Sequence, residues 1–404
     1  MTELGTACCV AGGGPAGMML GYLLARAGVD VMVLEKHADF LRDFRGDTVH
    51  PSTLEVMREL GLLDDFLQLP HQELQRLAAQ VGDDTIHAAD FSRLPLKAKF
   101  IVLMPQWDFL NFLAEKAKAL PCFRLMMCAE ATDLIRDGER VTGVVAKTPD
   151  GEARIAAALV VGADGRRSTI RERAGLEVED VGAPMDVLWL RLPRRPSDDD
   201  LVPLGRAVVG GILVLIPRGD YFQCGFVVPK GGAEELQAKG LDAFKRSIET
   251  MAPAMQGRTG GITSWDDVKL LTVAVDRLKT WCAPGVLCIG DAAHAMSPVG
   301  GVGINLAVQD AVASANLLWA PLKQGSVTLA DLQAVQQRRE WPTKATQAAQ
   351  VFIQKRAIAP LLAGGTPRAP WPAKLVDRTP LLQGLTARLL GLGVRFESVR
   401  SPAA

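Results

Sequence analysis

Short apolar runs alternate with stretches of helical spacing from the start of this chain. Residues 7–11 are an apolar run, 15–27 carry apolar side chains at helical spacing, and 29–34 are again apolar and β-branched. Strand, helix and strand in that order make a βαβ unit, which requires a parallel sheet with a helix on its face. A second helix is predicted from Pro51, where Leu54, Val56, Met57 and Leu60 follow and Gly61 stands ready to stop it. A third is predicted over 106–120, with Phe109, Leu110, Phe112 and Leu113 on its apolar side. Residues 73–100 read as short, mixed strands. Over 134–158, strands are separated by turn chemistry at 136–139 and 149–151, and 159–162 is a further buried strand.

The pattern changes between 185 and 275. Strand-like runs at 187–192, 211–216 and 221–228 are punctuated by proline and glycine, which predicts a mostly antiparallel sheet distinct from the opening fold. A buried strand returns at 286–289, followed by a helix over 304–318. From Lys355 onward the chain carries eight basic residues against Asp377 and Glu397. Its stretch 381–392 predicts an amphipathic helix that packs on the body, with a membrane surface as the alternative contact.

Composition narrows the function classes. A chain of 404 residues, 48% apolar and 22% charged, buries a large core in two or three domains. Basic and acidic residues balance at 45 each, so nothing points to a nucleic-acid partner. The seven cysteines show neither a disulfide framework nor zinc spacing; no metal is expected, and a reducing cytoplasm is the simplest compartment. Residues 7–25 are uncharged and long enough to span a bilayer, but Gly12, Gly13, Gly14, Pro15 and Gly17 interrupt them. Strand, turn and helix account for them better, and no transmembrane segment is expected.

Three motifs carry chemistry. In Gly12-x-Gly14-x-x-Gly17, at a strand-to-helix turn, Gly12 permits the tight turn, Gly14 lets backbone amides approach a pyrophosphate, and Gly17 allows close helix–strand packing. Glu35 closes the next strand, where a carboxylate accepts ribose hydroxyls. This motif alone does not separate FAD from NAD. In the second motif, a buried strand delivers Asp164 and Gly165 to a turn before a helix, and Asp164 reads equally well as a helix cap. In the third, Gly290-Asp291-Ala292-Ala293-His294 leads through Pro298, Gly300, Gly301 and Gly303 to Asn305. A glycine-rich loop entering a helix offers free amides to an electron-rich ring edge, as a flavin presents.

In this order and at these separations the three motifs resemble the FAD-dependent (class A) flavoprotein monooxygenases similar to p-hydroxybenzoate hydroxylase. The resemblance implies an α/β protein with a Rossmann-like FAD-binding domain made of residues 1–75, 101–184 and 276–345. It also implies a mostly antiparallel substrate-binding sheet (76–100 and 185–275) and a C-terminal helical segment (346–404). It assigns Gly12, Gly14, Pro15, Ala16 and Gly17 to the FAD pyrophosphate, Glu35 to the adenosine ribose, and Lys36 to the cofactor beside it. Arg45 reaches back over the flavin and its phosphates, and Gln106 contacts the phosphate and ribitol portion. Asp164 belongs to a motif that serves FAD and the nicotinamide cofactor, and Asp291 holds ribitol hydroxyls. Pro298, Gly301, Gly303, Ile304 and Asn305 form the loop beside the isoalloxazine ring.

The implied reaction has two halves. NADH or NADPH, docking transiently, reduces the flavin, and O2 then forms a flavin hydroperoxide that hydroxylates a small, aromatic substrate. Arg45 and Pro298 are the candidate catalytic positions, joined by His50, which would face the substrate cavity, and Arg191, which would anchor an acidic substrate. Trp189, Leu213, Leu215, Phe222 and Phe226 are candidates to line that pocket with Arg191, although alternation along strands sends half of such a set the other way. His294 is expected to order its loop by a hydrogen bond. A homodimer is common in the family. The residues leave open an FAD-dependent dehydrogenase or reductase without oxygen transfer, and a non-catalytic flavin-binding redox sensor. The Trp-x-Trp-x-Ile-Pro signature of flavin-dependent halogenases is absent.

Overall fold

The computed structural model describes residues 2–41, 48–198 and 204–404. The predicted βαβ unit consists of β1 (Thr2–Ala11), α1 (Pro15–Arg26) and β2 (Val31–Glu35). Parallel pairing continues outward through β3 (Phe123–Met127) on one side, and through β4 (Gly151–Gly162) and β5 (Val286–Cys288) on the other. β4 is one 12-residue strand rather than the separate pieces that the sequence suggested. Its first half pairs antiparallel with Arg140–Thr148, and its far end runs into the buried centre of the sheet. α1 lies close on this sheet because Gly21 has no side chain: a Cβ there would sit 2.6 Å from the Val33 side chain.

The second sheet has seven strands. In spatial order they are Lys269–Leu271, Met185–Pro193, Tyr221–Pro229, Gly211–Arg218, Gly205–Val208, Arg76–Val81 and Asp84–Asp90. All neighbours are antiparallel except Gly205–Val208 with Arg76–Val81. Period-two alternation gives the sheet two apolar faces. Leu188, Leu190, Leu192, Leu213, Leu215, Phe222 and Phe226 pack under the helix Leu241–Met251 through Phe244 and Ile248. On the other face Val187, Trp189, Ile212 and Val227 meet Val299, Ile358 and Leu362.

Two long helices complete the first body: α2 (Gly303–Gln324), which packs on α1, and α3 (Leu329–Ile353). Thr328 and Asp331 form a capping box at the start of α3. The helix then runs unbroken through position 345/346. After it come Trp371–Arg378 and α4 (Pro380–Gly391), the predicted amphipathic helix. α4 packs on the strand Asp84–Asp90, and Gly391 approaches Pro51 and Phe91.

Buried charge fastens α2 and α3 together. Arg339, 1% exposed, donates from Nε to Asp310, 0% exposed, over 2.9 Å. Its Nη1 donates to the Arg395 carbonyl at 3.2 Å and lies 3.6 Å from Glu397. Removing one partner of a buried pair leaves an uncompensated charge, a loss of roughly 3–5 kcal/mol. Arg339→Ala should therefore lower the thermal midpoint more than any surface arginine substitution. Differential scanning calorimetry checks this, with Arg58→Ala, on an exposed helix turn, as control.

Candidate active site

The sequence motifs meet because four parallel strands end level. Ala11 pairs with Leu34 on one side and Gly162 on the other, and Gly162 pairs with Cys288. The first, second and third motifs thus leave adjacent strands at one sheet edge, the carboxyl end where ligands bind in open parallel sheets.

The glycines of the first motif have different reasons. Gly12 adopts φ +111°, and a Cβ there would lie 2.3 Å from the Ala163 carbonyl oxygen. A Cβ on Gly17 would lie 1.9 Å from the Gly12 oxygen. Both are demanded by internal packing. Gly14 is different, since a Cβ would meet nothing within 4 Å. It is the N-cap of α1, with Pro15 next and no capping side chain. The first amides of α1 are therefore left for an anion, and the missing side chain keeps the approach clear. Ala16 closes the other side, 3.0 Å from where a Cβ on Gly290 would be. Glu35 flanks the turn, its carboxylate accepting the Gly13 and His37 N–H groups at 3.1 Å each, and Lys36 is exposed beyond it.

Asp164 turns out to serve its own turn. One carboxylate oxygen accepts the Ser168 hydroxyl at 2.5 Å and the other the Ile170 N–H at 3.1 Å, at the start of the helix Thr169–Arg173. Burial pushes its carboxyl up, against the lowering effect of these hydrogen bonds. The helix N-cap itself is Ser168, whose hydroxyl accepts the Arg171 N–H, and Asp164 braces that cap while its backbone lies behind Gly12. Asp291, half-buried, pairs with Arg166 at 3.2 Å. Gln106 opens the helix Gln106–Lys118, half-buried.

The loop of the third motif is held from behind. Thr48 donates to the Gly301 carbonyl at 2.8 Å, and Gly300 and Gly301 take φ +82° and +63°. From α3, Gln350 donates to the carbonyls of Ser297 (3.0 Å) and Val299 (2.8 Å), and Gln354 donates to the Ser297 hydroxyl at 2.5 Å. Gln347 bridges the carbonyls of Asp276 and Ala295. Sequence reasoning missed these glutamines. Their i, i+3, i+7 spacing, a polar stripe along one helix face, was the available signal. His294, as expected, orders the loop: its Nε2 lies 2.6 Å from Asp310, which also accepts the Gly290 N–H at 3.1 Å.

Gly303 and Ile304 begin α2, and Asn305 faces inward. Its carbonyl oxygen accepts the Thr53 hydroxyl at 2.8 Å and the His50 N–H at 3.1 Å. His50 is 1% exposed, and its Nδ1 donates to the Leu390 carbonyl at 3.0 Å. That bond fixes the tautomer and leaves Nε2 a buried lone pair without a partner. Burial pushes the imidazole down to about 4, against the raising effect of the Leu390 and Gly300 carbonyls.

The expected pocket list divides by face. Trp189 lies on the side that meets Val299 of the loop, whereas Leu213, Leu215, Phe222 and Phe226 point the other way, under the helix Leu241–Met251. Those four are corrected to structural core. Arg191 is exposed, its guanidinium 5.1 Å from the Tyr221 ring centre. Arg45 lies outside the described residues. Pro298 is half-buried at the start of the 3₁₀ turn Val299–Gly301. Among the described residues no group of three or more His, Cys, Asp or Glu is placed to hold a metal.

The donor set fits FAD: a clear amide cradle at α1, a carboxylate at the end of β2, and a second helix start at Gly303. Comparison with known proteins agrees. The family model described as "FAD binding domain" matches residues 5–349. The 6-methylpretetramide 4-monooxygenase of Streptomyces rimosus is 31% identical over 386 residues, 95% of this chain and 92% of that protein. The rifampicin monooxygenase of Streptomyces venezuelae is 31% identical over 315 residues, 77% of this chain but only 62% of that longer protein. Among solved structures, the anhydrotetracycline hydroxylase of S. rimosus superposes with a TM-score of 0.73 at 22% identity, covering 97% of this chain and 77% of its own, a likeness of fold. The chain belongs to the FAD binding domain family, among the FAD-dependent aromatic monooxygenases.

Proposed function

We propose that this protein hydroxylates a small, aromatic substrate held between the loop Pro298–Gly303 and the apolar sheet face carrying Val187, Trp189 and Ile212. The observation that supports this reading is the packing of Val299 with that face, which brings the third motif against the second sheet. Bound FAD would supply hydride acceptance from NADH or NADPH and the activation of O2. The chain's own residues do the rest. The α1 amides around Gly14 hold the pyrophosphate, Glu35 orients the ribose, and Asp291 takes the ribitol hydroxyls once Arg166 gives way. Pro298, Gly301, Gly303 and Ile304 wall the ring edge, and amides at the start of α2 stabilise negative charge there. Arg45 and Gln106 are assigned to the cofactor by motif position alone, as are Lys36 and the anchoring role of Arg191. NAD(P)H docks without a domain of its own.

The indole N–H of Trp189 is buried without a partner and offers a donor on the same wall. His50 is a neutral imidazole whose protonated nitrogen is committed to Leu390, so its role is to set the Gly300 region and leave a lone pair beside it. Seven free cysteines, five of them buried, suit a reducing cytoplasm. A homodimer remains part of the proposal. Relatives are named for 6-methylpretetramide, rifampicin, para-nitrophenol and pentachlorophenol, which supports an aromatic substrate.

The reading is tested by supplying such aromatics with NAD(P)H under ¹⁸O2; label in one product oxygen is expected, and NAD(P)H oxidation that yields only peroxide with every aromatic would favour the dehydrogenase reading. The two kinds of glycine separate by experiment. Gly14→Val should fold with an unchanged thermal midpoint in the FAD-free protein yet weaken FAD binding at least about tenfold by flavin fluorescence titration. Gly17→Ala should lower the midpoint itself. Stability should also fall as pH drops from about 6.5 toward 4. His50 has a folded-state value near 4 against an ordinary 6.5, so between them the unfolded chain binds the extra proton. The shift corresponds to about 3 kcal/mol. Urea unfolding across that window should show a shallower dependence in His50→Gln.

A further inference from the structure

The C-terminal helices satisfy the packing expectation on one side and leave the other side bare. On α4, Ala387 is 0% exposed against the body, while Leu381, Leu385 and Leu389 are 82%, 53% and 54% exposed. Their i, i+4, i+8 spacing makes one continuous stripe along the helix. The preceding helix repeats the pattern, with Trp371 at 76% and Leu375 at 49% exposure. Single exposed apolar side chains are ordinary, but five large ones on two consecutive helices are not.

The segment that carries these helices is net basic. Residues 355–404 hold eight Lys or Arg against Asp377 and Glu397. Neither acid is free to neutralise the surface. Asp377 accepts the backbone N–H and lies against Nδ1 of His87, at 2.8 and 2.9 Å, and Glu397 is 1% exposed under Arg338. Lys374 pairs with Asp84 at 2.8 Å. Lys355, Arg356, Arg368, Arg378 and Arg388 are exposed and form no ion pair among the described residues.

We infer that this face docks on an anionic lipid bilayer. Leucines and an exposed tryptophan enter the acyl boundary and headgroup level, and the arginines and lysines meet lipid phosphates. A second copy of the chain is a poorer occupant, because a two-fold axis would set like charges against each other across the apolar stripe. No helix among the described residues is long and apolar enough to cross a membrane, so the contact is peripheral. It also lies next to the candidate site. Leu390 on α4 accepts the His50 hydrogen bond, and its side chain lies 3.4 Å from where a Cβ on Gly300 would be. The inference stands independently of the monooxygenase reading.

The test is co-sedimentation of the FAD-loaded protein with phosphatidylcholine vesicles, with and without phosphatidylglycerol, at low and high salt. Wild type is expected to bind only the anionic vesicles and to release in high salt. The triple variant Leu381→Ser/Leu385→Ser/Leu389→Ser and the charge variant Arg378→Glu/Arg388→Glu should each weaken binding about tenfold or more. Thermal melts and FAD content verify that both are folded, and the charge variant carries the test if the leucine variant is not. Absence of wild-type binding, or binding unchanged in both variants, overturns the proposal. A wild-type dimer in sedimentation velocity that the leucine variant converts to monomer would instead give the face to a second copy.

Discussion

The carboxylate of Asp310 is the point on which the site depends. It has no exposure to solvent and receives Gly290 N–H and His294 Nε2 from the third motif and Arg339 Nε from α3. An isolated buried charge is costly enough that these partners are obligatory. Burial opposes its ionisation, but the charge and hydrogen bonds of His294 and Arg339 prevail and hold the carboxyl below its usual range. The consequence is geometric. The end of β5, the middle of α2 and the middle of α3 have a single mutual arrangement, and the loop between β5 and α2 inherits it.

That loop is then fixed a second time by neutral groups. Gln347 and Gln350 hold its backbone from α3, Gln354 just beyond that helix holds the Ser297 hydroxyl, and Thr48 holds Gly301 from the other end. A surface loop with this much support behaves as part of the core, which is what a site needs when donors must already point at developing charge. The second sheet meets this loop where Val299 packs on the Val187 and Trp189 face. The loop is thus a firmly held turn that packs on an apolar sheet face.

α4 joins this assembly from outside. Its inner face covers His50, whose neutral state is set by burial, and its outer face carries the leucine stripe. One short helix therefore touches both the interior of the candidate site and the surface that the chain's basic tail surrounds.

Much of this was legible in the chain. Local spacing gave the βαβ unit, the capping and stopping of helices at Pro51 and Gly61, the antiparallel character of the central strands and the helix near 381, because periodicity and turn chemistry act over a few residues. The Gly12–Gly17 turn and the three strand-end motifs were readable because close backbone approach admits only glycine. Tertiary structure alone decided the rest. Alternation could not say which face of the second sheet met the third-motif loop, which tertiary packing decided: Leu213, Leu215, Phe222 and Phe226 pack under the helix Leu241–Met251 and Trp189 on the side of Val299. Asp164 carried the same sequence signature as cap or ligand, and its contacts with Ser168 and Ile170 were not written in that signature. The Asp310–Arg339 pair and the glutamines of α3 join residues tens of positions apart. Their partners are set by how helices pack, which no local pattern records.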